Sequence, residues 1–104
     1  MSKKKREIAP VHPGEILKFE FMEPLELSAN RLSLLLAVPS GRITQIINGQ
    51  RAMSIDTALR LSRLFGTTAE FWMNLQNLYD LQIAENNLVS EINDRVKPLK
   101  KTVG

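Results

Sequence analysis

The residues of this chain best equipped for specific chemistry lie between Ser40 and Asn48, in the stretch SGRITQIIN. At about 100° per residue, Ile43, Ile46 and Ile47 fall on one face of a helix. The opposite face is centred on Gly41, Gln45 and Asn48, with Arg42 and Thr44 on its flanks. One side is core, and the other is a short row of hydrogen-bonding groups. Such a row suits the major groove of a duplex. Arginine matches O6 and N7 of guanine, and glutamine matches N6 and N7 of adenine. Arg42 and Gln45 are therefore the expected base readers, with Ser40 and Thr44 in a secondary role and Gly41 permitting close backbone approach. Arg31, Asn48 and Arg51 stand at the ends of the stretch and suit phosphate.

Other chemistries find little support. The 104 residues contain no cysteine, which removes disulfides, thiolate nucleophiles and cysteine-ligated metals. His12 is the one histidine, with no second ligand at metal-binding spacing, so a cap or a surface position is expected of it. Neither a glycine-rich phosphate loop nor a convergent carboxylate pair is present. The reading is of a protein that is not an enzyme and uses no metal or cofactor.

The elements that must hold the row in place are legible around it. Ser28 can cap a preceding helix whose inward positions are Ala29, Leu32, Ser33 and Leu36, the small Ala29 and Ser33 allowing a close crossing. Val38-Pro39 forces a break, so the next helix begins at Pro39 or Ser40, and Asn48-Gly49 ends it. Two short helices joined by a tight turn make a helix-turn-helix. Leu34 points away from the inward Leu32 and Leu36, and Leu35 lies beside the boundary. Either they are exposed, or helix one, a second subunit or another protein covers them.

This stretch resembles the DNA-reading core of the phage-repressor-like (Xre) family. Four motifs in order carry the likeness further: His12-Pro13-Gly14-Glu15, Ile46-Ile47-Asn48-Gly49, Asp56-Thr57-Ala58-Leu59-Arg60-Leu61 and Glu70-Phe71-Trp72-Met73-Asn74-Leu75-Gln76. Together they resemble the HigA-type antitoxins, or virulence-associated protein I, over about residues 11–84. The resemblance implies a homodimer that binds its own operator, represses its promoter and neutralises a HigB-type, mRNA-cleaving toxin. A stand-alone helix-turn-helix regulator without a toxin is the alternative. One departure is Ala37, where the family often has glycine; alanine there must adopt a left-handed backbone or the turn must differ.

Along the rest of the chain, an all-α bundle of about five helices is predicted. Residues 1–10 form a flexible basic start, 11–84 the DNA-binding domain, and 85–104 a helical extension with a basic tail. Pro13 opens a first helix with Ile16, Leu17, Phe21 and Met22 inward, and Pro24 ends or bends it. Ser54 caps a helix closed by Gly66, and Thr67 with Glu70 forms a capping box for a long helix reaching about Ala84. Leu81, Ala84, Leu88, Ile92 and Val96 suggest a further helical segment halted by Pro98. The long helix carries more large apolar surface than one inner stripe needs. Trp72, Leu75, Leu78 and Tyr79 are thus either core or a dimer interface.

Charge separates the chain into halves. Residues 28–66 carry Arg31, Arg42, Arg51, Arg60 and Arg63 against Asp56 alone, a net of plus four around the helix-turn-helix, whereas residues 67–96 sum to minus four. The excess is either an ordinary solvated face or a phosphate-binding one, and its position favours duplex DNA as partner. No apolar run is long enough to span a bilayer and no signal-peptide pattern opens the chain, so a soluble cytoplasmic protein is expected.

Overall fold

The computed structural model describes residues 9–99, and all regular structure in them is helical. Helix α1 (Pro13–Ile16) runs directly into a π-helical segment (Leu17–Met22). It is followed by α2 (Ala29–Leu36), α3 (Ser40–Ile47), α4 (Ile55–Phe65) and α5 (Ala69–Arg95). This is the all-α, five-helix architecture that the periodicity predicts. The expectations for residues 1–8 and 100–104 lie outside the described residues.

Four of the five helices start where a polar side chain replaces a missing backbone partner; α3, which follows Pro39, has no side-chain cap. The Ser28 hydroxyl accepts from the Arg31 N–H at 3.0 Å and the Ser54 hydroxyl from the Thr57 N–H at 3.2 Å. His12 takes the same role for α1, its Nδ1 accepting from the Gly14 N–H at 2.9 Å, with Pro13 in the first helical turn. For α5 the sequence pointed to Thr67, but the cap is Thr68, whose hydroxyl accepts from the Phe71 N–H at 3.0 Å. Thr67 is already engaged: its Oγ1 accepts from the buried indole N–H of Trp72 at 2.8 Å. A buried N–H without an acceptor is costly, so the helix begins one residue later.

The π-helical segment was not anticipated, and the core supplies its reason. Leu17 and Met22 are both buried, five residues apart. An α-helix would splay them by about 140°, but a five-residue repeat brings them to one face. The wider winding is continued by Glu23, whose N–H reaches the Lys18 carbonyl at 2.9 Å. Beyond it Pro24 ends the helix as expected, and Glu26 at φ 55 reverses the chain.

Leu17, Leu32, Ile43, Ile46, Ala58, Leu61 and Trp72 are wholly buried at the centre. Phe21 bridges two helices there, with its ring 5.0 Å from that of Phe65 and 5.1 Å from that of Trp72. The zero exposure of Trp72 corrects its place among the dimer-interface residues: its indole fills this core and leaves nothing to present outward. Leu75 is half-buried against the same core, and Tyr79 is half-buried with its ring 4.9 Å from that of His12; only Leu78 of that group is exposed.

Helix α5 does not divide near Ala84. No proline or glycine interrupts residues 67–97, and one helix of 27 residues results. It buries Trp72 and Gln76 only; Leu81, Ile83, Leu88, Val89 and Ile92 all remain exposed. Leu34 is 74% exposed, so helix one does not cover it.

Among the glycines of the described residues, the tightest approach joins α1 to α3. A Cβ on Gly14 would lie 1.9 Å from the Ile46 carbonyl oxygen and 2.9 Å from the Ile47 Cα. Backbone, unlike the end of a side chain, cannot swing aside. Gly14→Ala is therefore expected to destabilise the fold by about 3 kcal/mol or more, read as a lowered midpoint in chemical denaturation.

His12 supplies a second expectation. Burial holds its imidazole below the ordinary pKa of 6.5, against the opposing pull of Glu15, Asp80 and the Arg51 backbone. The folded state thus prefers the neutral ring, and the unfolded chain takes up the proton first. Stability should be complete above pH 6.5 and decline as pH falls below it. In His12→Asn, which keeps a capping acceptor, that component should be missing from the pH dependence of thermal melting.

Candidate nucleic-acid interface

Helix α3 is rooted by Ile43 and Ile46, both fully buried, with Ile47 half-buried beside them. On its other side Ser40, Gly41, Thr44, Gln45 and Asn48 are exposed in the row that the sequence predicts. No atom stands within 4 Å of a Cβ placed on Gly41, so the start of the row opens directly to whatever approaches. Arg31 is exposed at the beginning of α2, and Arg51 is exposed just beyond the end of α3.

The turn between α2 and α3 is held from three directions. Ala37 closes α2 in the left-handed region at φ 57 and ψ 47, the conformation expected if the turn keeps its shape without glycine. This costs about 1 kcal/mol. The neighbouring Val38 N–H returns to the Ser33 carbonyl at 3.1 Å, and the buried Ser33 hydroxyl donates to the Ser40 carbonyl at 3.4 Å. From α4, Arg60 donates through Nη1 to the Leu36 carbonyl at 2.9 Å and the Ala37 carbonyl at 3.2 Å. Those are carbonyls that the end of α2 leaves without helical partners.

Arg60 also donates through Nε to Asp56 Oδ2 at 3.0 Å, and the same oxygen accepts from Arg42 Nη1 at 2.9 Å. Arg60, then Arg42, hold the Asp56 carboxyl below its usual range. Asp56, seen in the sequence only as part of a motif and as the one acid among the arginines of residues 28–66, is thus the hinge-pin between α4 and α3. The consequence for Arg42 is direct. Its side chain is 21% exposed, and its Nε is buried without a partner. It lies along the flank of α3, turned towards α4 and away from the exposed row.

Gln45 and Arg51 are brought together: Arg51 Nη1 donates to Gln45 Oε1 at 3.0 Å, and both side chains are exposed. The connector bearing Arg51 is anchored by Gln76, whose buried Oε1 accepts from the Met53 N–H at 2.7 Å while its Nε2 donates to Asp80 at 2.9 Å. Gln76, Arg60 and Gly14 escaped the sequence reading as positioning residues. For Arg60 a signal existed, an Asp-Arg pair at i and i+4 next to an arginine-rich motif; for Gln76 there was only a polar residue on an apolar helix face.

Among the described residues no group of three His, Cys, Asp or Glu side chains converges to hold a metal, and no helix is long and apolar enough to cross a membrane.

No protein-family model matches the chain. Individual relatives do. It is 47% identical to virulence-associated protein I of Dichelobacter nodosus over 80% of this chain and 77% of the relative. It is 36% identical to antitoxin HigA-1 of Vibrio cholerae over 95% of this chain and 90% of the relative. The solved structure of Pseudomonas aeruginosa antitoxin HigA with the higBA promoter superposes with a TM-score of 0.84 at 41% identity, covering 86% of this chain and 98% of that one. With the motifs, the five-helix fold and the exposed face of α3 in agreement with these likenesses, the chain belongs to the HigA-type (virulence-associated protein I) family of helix-turn-helix antitoxins.

Proposed function

We propose that this protein is a homodimeric, cytoplasmic transcriptional repressor that binds its own operator and acts as the antitoxin of a HigB-type, mRNA-cleaving toxin. The observation that carries the reading is the exposed row Ser40, Gly41, Thr44, Gln45 and Asn48 on a helix whose reverse is fully buried, in a scaffold similar to one solved with promoter DNA. A helix of this kind fits the major groove with its polar row against the base edges. Thr44 and Gln45, exposed in the middle of the row, face the base edges. Ser40 and Gly41 let the backbone come close, and Arg31 and Asn48 contact phosphate from either end. Arg42, tied to Asp56, serves as a strut that fixes the pitch of α3.

Repression needs only occupancy: a bound dimer covers the promoter. Two copies related by a twofold axis place their α3 helices about 34 Å apart, one turn of duplex. The surface available for pairing is the exposed part of α5, where Leu78, Leu81, Leu88 and Ile92 lie bare. An isolated helical stretch is marginal in water, and covering these side chains with a second copy supplies the missing burial.

A labelled fragment of the DNA upstream of its own gene should be retarded by the protein, with affinity falling about a thousandfold or more between 50 and 200 mM salt if six or more phosphates are contacted. A flat salt response, or no retardation at micromolar protein, rejects operator binding. Co-purification with the product of the adjacent reading frame tests the antitoxin role, and its failure leaves a stand-alone regulator. The double substitution Leu81→Glu with Leu88→Glu should convert dimer to monomer in sedimentation while leaving the helical circular dichroism of residues 13–76 in place; an unchanged dimer rejects α5 as the pairing surface.

A further inference from the structure

The bare face of α5 carries two charges where apolar residues are expected. Leu81, Glu85, Leu88, Ile92 and Arg95 follow one another at spacings of four, three, four and three residues, and Leu99, four further on, extends the line past the end of the helix. At about 100° per residue the five helical members keep to one stripe, the heptad seam that a second helix fills. All six are exposed. Neither charge is committed within its own chain. Arg95 approaches Glu91 at 4.0 Å, in a pair where both side chains are more than half exposed, and Glu85 enters no ion pair among the described residues.

The line reads the same in both directions: apolar, charged, apolar, apolar, charged, apolar, with the spacings unchanged and only the sign of the charge exchanged. A twofold interface needs a self-complementary surface, and in an antiparallel pair each stripe meets its own copy reversed. We propose that the α5 helices of two copies pair antiparallel in a single register, with Glu85 of each copy opposite Arg95 of the other. Leu88 then meets Ile92, and Leu81 meets Leu99, so every level is either apolar on both sides or oppositely charged. A slide of one heptad that lengthens the overlap sets Glu85 against Leu88 and Arg95 against Leu78. A slide the other way sets Arg95 against Ile92 and carries Glu85 past the end of the other helix. A parallel pair in register sets Glu85 against its own copy. A charge left unpaired or repelled in a closing seam loses hydration without compensation, so the alternatives are disfavoured even where they cover more leucine. The inference rests on the pairing through α5 proposed above, and it fixes the direction and register of that pairing.

Sedimentation equilibrium of the full-length protein tests it, with Glu85→Arg, with Arg95→Glu and with both substitutions together. Both residues are exposed, so every variant should keep the native helical circular dichroism. Each single reversal places like charges at two symmetry-related levels and should raise the dimer dissociation constant by about tenfold or more. The double exchange restores opposite charges and should return the constant to within about threefold of the wild type. An equimolar mixture of the two single variants should form the mixed dimer in preference to either parent, because one variant supplies only positive and the other only negative charge at these levels. Single variants that dimerise as tightly as the wild type overturn the proposal, as does a double variant as weak as the singles. A wild-type dimer that Leu81→Glu with Leu88→Glu breaks, but that the charge reversals do not weaken, keeps α5 as the pairing surface and rejects the register. If the wild type is monomeric, or the leucine substitutions leave the dimer intact, pairing through α5 fails and the register fails with it.

Discussion

The contact on which the reading surface depends is one of backbone against backbone. Where Gly14 meets Ile46, the first turn of the chain lies so close to the end of α3 that no side-chain atom fits between them. That approach fixes the height of α3 relative to α1, and the rest follows from it. His12 can cap α1 and still meet Tyr79 only if α1 lies this near the centre. A repositioned α1 would also move Leu17 and Met22, and with them the floor on which Ile43 and Ile46 rest.

A second layer of constraint is polar. Asp56 joins α4 to α3 through Arg42 and to the turn through Arg60, while Gln76 ties the connector after α3 to α5. The isoleucine face roots α3 in the core but leaves rotation about its own axis loosely defined, since apolar contacts are not directional. Hydrogen bonds are directional, and these are placed at both ends of the helix. The exposed row is therefore oriented by groups on its neighbours, none of which belong to the row.

Much of this was legible in the sequence because it depends on local rules. The caps at Ser28 and Ser54, the break at Pro39 and the buried isoleucine face all follow from residue type and spacing, whereas the left-handed Ala37 was one of two alternatives that the family resemblance raised. What was not legible depends on partners distant in the chain. The sequence left Trp72 open between core and dimer interface, and only the rings of Phe21 and Phe71 and the hydroxyl of Thr67 settle it as core. Arg42 looked free because Asp56 is fourteen residues away. The π-helical turn answers a packing demand at Leu17 and Met22 that leaves no trace in the helical period. Gly14 stood within a quoted motif, but its reason lies on the opposite side of the core, at Ile46.

The unbroken α5 has a geometric meaning for the assembly. At 1.5 Å per residue its 27 residues make a rod about 40 Å long, rooted at one end by Trp72 and Gln76 and bare at the other. Two such rods that cross set the separation of the bodies they carry by where along their length they touch. Sliding the crossing by one heptad would move each body by about 10 Å, roughly a third of a duplex turn, and take one α3 out of phase with its groove. Under the proposed pairing through α5, its bare leucines would act as the graduations of a ruler: their register, and no residue touching DNA, would set how many base pairs separate the two half-sites.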